Sequence, residues 1–166
     1  MAVGPTYRAG MTPDPAIDLR ARAREVVDSE RYLVLATVSP EGVPWSCPVW
    51  FAHDDLDAFF WLSRPGRTHS VNVAHQPRIG LVAFDSRQPT GVGLAVYASA
   101  DAAVVPDGEL DDALAIVSAR SLVHGGGPWD RARISSAPLE LYVARPVELW
   151  LNPGLGTDER QRVPGG

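Results

Sequence analysis

Residues 45–85, WSCPVWFAHDDLDAFFWLSRPGRTHSVNVAHQPRIGLVAFD, decide the fold. Two apolar, aromatic runs, 45–53 and 58–63, flank the tight acidic turn Asp54-Asp55-Leu56-Asp57 and read as two strands. Pro48 has no N–H to give a ladder, so the first run belongs at an edge or a bulge. The second run stops at Ser63. Arg64, Arg67, Thr68, His69 and Ser70 then open a short helix over 67–75 that ends before Pro77, and a strand over 78–85 follows. Hydroxyls and cations at a helix N-terminus make a ready anion site. The free backbone N–H groups and the positive end of the helix dipole both favour a phosphate there. Trp50 and Trp61, read as lying on adjacent strands, would offer the owner of that phosphate a flat surface.

Upstream, Asp14-Pro15 reads as N-cap and first position of a helix running to about Ser29, with Leu19, Ala23, Val26 and Val27 at helical spacing. The run YLVLATV between Arg31 and Ser39 is a strand, and Pro40-Glu41-Gly42 is turn chemistry. Downstream, Gly91-Val92-Gly93 superficially suggests a dinucleotide loop. The segment after it, LAVYASADAAVV, is a strand and not a helix, so the glycines mark a turn. Asp107 is the expected cap of a helix over 108–123 that buries Leu110, Ala113, Leu114 and Val117 and ends at Gly125-Gly126-Gly127. A short helix over 128–136 and a strand over 138–151, interrupted at Pro146, complete the order. Strands joined by tight turns point to an antiparallel barrel with helices packed outside, not to a parallel sheet. The expected organisation is a disordered tail over 1–13, a barrel domain over 14–151, and a Gly-, Pro- and charge-rich tail over 152–166 that could contribute to a cofactor site.

Composition narrows the function. The chain has 166 residues, 45% hydrophobic and 21% charged, enough for one domain with a real core. A net charge of −5 argues against nucleic acid as the main partner. No apolar run is long enough for a membrane helix, and the N-terminal residues lack a signal-peptide core. A single cysteine, Cys47, rules out an internal disulfide and fits a cytoplasmic setting. All 15 basic residues are arginine, which excludes Schiff-base chemistry, a lysine base and a P-loop. His53, His75 and His124 have no ligand-like spacing to one another or to Cys47, so no metal site is expected. Cys47, beside Pro48 in a strand, reads as a small buried filler without an evident base.

From Tyr32 to Asp85 the chain resembles the flavin-binding split-barrel proteins related to pyridoxamine 5′-phosphate oxidase. The motifs that carry the likeness are LATVSPEG, PVWF, WLS and THSVNVAHQPR, in that order. It extends over about residues 20–151. The resemblance implies a mainly β (α+β) fold, an antiparallel split β-barrel of Greek-key type with peripheral helices. It also implies a homodimer with FMN at the subunit interface and hydride transfer on a small-molecule substrate. FMN would lie along strand 47–52, past Val49, Trp50 and Phe51. Its phosphate would be held near Leu62 and Ser63 and by Arg67, Thr68 and His69. Trp150 and Arg160 have the spacing of a C-terminal pair that completes such sites.

The departures are informative. The oxidase has cations where this chain has Cys47 and Ala52, and a basic-His run where this chain has Gly154-Leu155-Gly156. Activity on pyridoxamine phosphate is therefore not expected. The alternatives within the fold are an F420-dependent reductase and a non-enzymatic flavin or haem carrier. For individual residues a structural reading stands beside the functional one. Thr68 and Ser70 could simply cap the helix, His69 and the two arginines could be solvated, and Trp50 and Trp61 could be core packing.

Overall fold

The computed structural model describes residues 18–154 and 159–165. The expected N-terminal tail, Asp14-Pro15 and residues 155–158 lie outside them. Helix α1 spans Leu19–Ser29. Its cap is Asp18, whose carboxylate accepts from the amides of Arg20 at 3.0 Å and Ala21 at 3.1 Å. The backbone at Asp18 is extended, so α1 starts after it.

One sheet holds eight strands: β1 (Tyr32–Val38), β2 (Pro44–Trp50), β3 (Ala52–Asp54), β4 (Ala58–Ser63), β5 (Arg78–Phe84), β6 (Ala95–Val104), β7 (Glu140–Asn152) and β8 (Gln161–Arg162). The pairing order is β2-β1-β5-β6-β7-β4-β3, all antiparallel, with β8 on β7. β1 beside β5 and β4 beside β7 are the non-sequential pairings of a Greek-key barrel. As expected, Pro48 lies on an edge strand, opposite Val34 of β1.

The run read as one strand over 45–53 is two. β2 pairs with β1 at one end of the sheet and β3 with β4 at the other, joined through Phe51 alone. That residue is the corner that closes the barrel. Its ring is fully buried, 6.2 Å from Phe59, with the Arg120 guanidinium 4.8 Å above it. No Gly or Pro marks the corner; burial of the ring does.

Alternation sets the two faces. Leu33, Leu35, Val49, Trp61 and Leu81 fill the barrel, and Ala23, Val26 and Val27 of α1 close on them. Ala52, Phe60, Leu141 and Val143 face outward against α3 (Leu110–Val123) and α4 (Arg131–Ser136). Ala113, Leu114 and Val117 are buried as expected. Asp107 is not their helix's cap. It opens a 3-10 turn over Asp107–Glu109, and its carboxylate accepts from Arg131 instead. Pro146 does not break β7. The ladder jumps from Ser99↔Glu148 to Ala100↔Pro146, so the proline sits at a bulge. Beyond Asn152, β8 pairs with Trp150 and Leu151, and Val163 is buried in the core.

The outer face of β1, β2, β5 and β6 is left open. Tyr32, Val38 and Phe84 are 59%, 40% and 46% exposed there. A bay of about 700 Å³ lies on this face, lined by Ala36, Trp45, Gly80, Tyr97, Trp150 and Arg160 among others.

Candidate functional site

Helix α2 (Thr68–His75) starts directly after the exposed loop that follows β4. Its cap position is Arg67, which has extended backbone and makes no side-chain cap bond. The first intrahelical donor is Val71, to the Arg67 carbonyl at 2.9 Å. The amides of Thr68, His69 and Ser70 therefore start the helix without an intrahelical acceptor. Arg64, Arg67 and Thr68 are exposed around that end. Among the described residues their side chains make no hydrogen bond or ion pair, so two cations, a hydroxyl and three amides stand without a protein partner at this end of the helix.

Ser63 and His69 lie behind this surface. Ser63 is 6% exposed. The His69 ring is held at both nitrogens, with Nε2 2.8 Å from Ser63 Oγ and Nδ1 3.2 Å from Cys47 Sγ. Ser70 Oγ donates to Ser63 Oγ at 3.1 Å. Burial, with the Arg67 guanidinium nearby, keeps the His69 imidazole below its usual pKa, and burial pushes the Cys47 thiol up. One turn on, the buried Asn72 donates to Thr37 Oγ1 at 3.0 Å and ties α2 to β1. Cys47 does pack against the core, as a filler would, but it also lies within hydrogen-bond reach of a histidine ring nitrogen. Nothing local signals that pair, since the residues are 22 positions apart and on different elements.

The other expected site residues divide by face. Val49 and Phe51 turn into the barrel, and only their backbone is available along strand 47–52. Among the described residues β2 carries a strand on one edge only, so its other edge is unpaired. Trp50 and Leu62 turn outward against the second core cluster, and the Trp50 indole donates to His124 Nδ1 at 3.2 Å. Trp61 is fully buried inside the barrel, stacked 5.5 Å from Tyr142. The expected flat surface of Trp50 and Trp61 therefore does not form. β4 pairs with β3 and β7 rather than with β2, and the two indoles lie on opposite faces of the barrel wall. Trp150 and Arg160 come together in the open bay, where the Arg160 guanidinium lies 4.0 Å over the Tyr97 ring. Among the described residues no cluster of His, Cys, Asp and Glu could hold a metal ion, and no helix is long and apolar enough to cross a membrane.

Comparison with known proteins places this geometry. No curated protein matches the sequence significantly. Among solved structures, a haem-binding protein from Mycobacterium smegmatis aligns with a TM-score of 0.70 at 19% identity, covering 92% of this chain and 60% of that one. An F420 reductase aligns with a TM-score of 0.57 at 21% identity over 76% of this chain and 94% of that one. An FAD-binding protein from Mesorhizobium loti aligns with a TM-score of 0.56 at 18% identity, over 78% and 88% of the two chains. At such identities the likeness is one of fold. The family model for pyridoxamine 5′-phosphate oxidase matches residues 19–151, the barrel and its helices together. The chain thus belongs to the pyridoxamine 5′-phosphate oxidase family, built on its split β-barrel.

Proposed function

We propose that this protein is an FMN-binding oxidoreductase that acts by hydride transfer on a small molecule, and that it works as a homodimer in the cytoplasm. The observation that carries the reading is the uncapped start of α2, with Arg64, Arg67 and Thr68 exposed around it, beside the open edge of β2. Arg64, Arg67, Thr68 and the first-turn amides would hold the phosphate, and the backbone of 47–50 would lie along the ring system. The flavin supplies the hydride chemistry, and the protein supplies orientation and electrostatics.

The open sheet face supports the dimer, since exposed strand faces with Tyr32, Val38 and Phe84 invite cover. In that dimer Trp150 and Arg160 of one copy would complete the site of the other. The substrate is one other than pyridoxamine phosphate. Ala52, where the oxidase has a cation, is fully buried and offers no charge. F420 is the second reading, favoured by the likeness to an F420 reductase.

Optical titration of the purified protein with FMN, F420 and haem, alongside light scattering, tests this. Saturable FMN binding by a dimer is the expected result. F420 binding without FMN binding would move the assignment to the reductase, a Soret band to a haem protein, and a monomer would refute the shared site.

A further inference from the structure

We propose that the bay between α2 and the strands β6 and β7 binds a small organic ammonium ion with an aliphatic body, through the Glu140 carboxylate. The site goes beyond the function proposed above and needs no flavin, since Arg64, Arg67, Thr68 and His69 take no part in lining it. The bay holds about 460 Å³, a volume suited to a small molecule. Its walls are apolar, with Val71 and Ala74 on α2 and Ala102 and Val104 on β6. Val71 and Val104 are 42% and 46% exposed, so aliphatic surface stands bare there.

One charge enters this apolar lining from β7. Residues two apart on a strand share a face, which brings Glu140 and Tyr142 to the bay together. Val104 stands opposite Tyr142 in the ladder. The buried Tyr142 phenol donates to one Glu140 oxygen at 2.9 Å. Burial first, and then the Glu140 carboxylate, push the phenol above its usual pKa, so it keeps the proton it donates. No other hydrogen bond reaches that carboxylate among the described residues. The half-buried acidic residues there are Glu30, Asp85, Glu140 and Glu148. Arg87 pairs with Glu30 and Asp85, and Arg162 lies 3.7 Å from Glu148. Glu140 is the one without an ion pair. A carboxylate drawn out of water is costly unless a cation meets it. The chain contains no lysine, so a second copy has no alkylammonium side chain to offer. An ammonium ion on the open oxygen, with its aliphatic body between Val71 and Val104, satisfies the charge and covers both valines.

Isopentylamine, which is protonated at neutral pH, and the uncharged isopentanol of the same shape are the probes. Backbone amide NMR of the full chain is the readout. The amine should bind saturably, tighter than about 10 mM for so few atoms, with shifts centred on 71–74, 102–104 and 140–142. The alcohol should bind about tenfold more weakly, the loss of one charge-assisted bond. Glu140→Gln should erase that preference. Val104→Lys, an exposed position, places a cation beside Glu140 and should abolish amine binding while the spectrum stays that of a folded chain. Equal affinity for amine and alcohol in the unmutated protein, or amine shifts centred elsewhere, would overturn the proposal however the variants fold. So would a Glu140→Gln protein that still prefers the amine. Failure to bind FMN would remove the function proposed above and leave this result standing.

Discussion

Removing both surface arginines at the start of α2 should strip the phosphate's share of FMN affinity and nothing else. Arg64 and Arg67 are exposed, so their attraction to a phosphate works near the high-dielectric limit. At about 6 Å, unit charges interact by roughly 0.7 kcal/mol in water and roughly 3 kcal/mol at an effective dielectric of about 20. Taking about 1 kcal/mol per arginine gives about 2 kcal/mol for Arg64→Ala with Arg67→Ala, about thirtyfold in Kd. The loss should shrink at high salt, where the Debye length falls to a few ångströms. Neither side chain has a protein partner among the described residues, so the urea midpoint should hold to within about 0.5 kcal/mol. The assay is quenching of flavin fluorescence at low and high salt, with riboflavin, which lacks the phosphate, as the internal control. If the double variant binds FMN like the unmutated protein at low salt, or loses riboflavin equally, the phosphate is held elsewhere.

Three other outcomes follow from the packing. Asn72→Ala should destabilise the fold by about 1–3 kcal/mol, because it leaves the buried Thr37 hydroxyl with only the Trp45 carbonyl at 3.4 Å; urea unfolding measures it, and an unchanged midpoint would show that α2 is anchored otherwise. Burial holds His53, His69 and His124 below the usual histidine pKa, for His53 against the opposing pull of Asp28 at 2.8 Å. The unfolded chain then binds more protons below about pH 6.5, so stability present above that pH should be lost as pH falls through the folded values. Urea midpoints that rise on acidification from about pH 7 to about pH 5 would contradict this sign. Ala36→Arg, a charge placed in the middle of the open face, should give a folded monomer by light scattering with weakened FMN binding; an intact dimer would place the interface on another face.

The strands were legible because one wall of the barrel faces a core, so the buried positions of β1 alternate as Leu33, Leu35 and Thr37 within an apolar run. The start of α2 was legible too, since a strand ending in Ser63 with cations and hydroxyls behind it needs no tertiary information. The corner at Phe51 was not, because the residues VWFAHD keep strand character while the pairing partner changes from β1 to β4. Likewise, sequence order alone sets Trp50 and Trp61 side by side on consecutive strands, whereas β4 pairs with β3 and β7. The His69–Cys47 contact and the exchange of Asp107 from cap to ion pair depend on which elements meet in space, which local periodicity does not report.

β7 has a consequence for how the molecule comes to be made. The pairs β1–β2, β3–β4 and β5–β6 link neighbouring segments and can form as the chain emerges. The group β2-β1-β5-β6 and the group β4-β3 are then held together by β7, and otherwise linked through Phe51 and through the segment carrying α2 between β4 and β5. On a ribosome the two half-sheets must therefore wait, apolar faces bare, while α3 and α4 are synthesised. Closure of these long-range pairs sets the folding rate, and the interval before it is when the chain is most open to aggregation or to a chaperone.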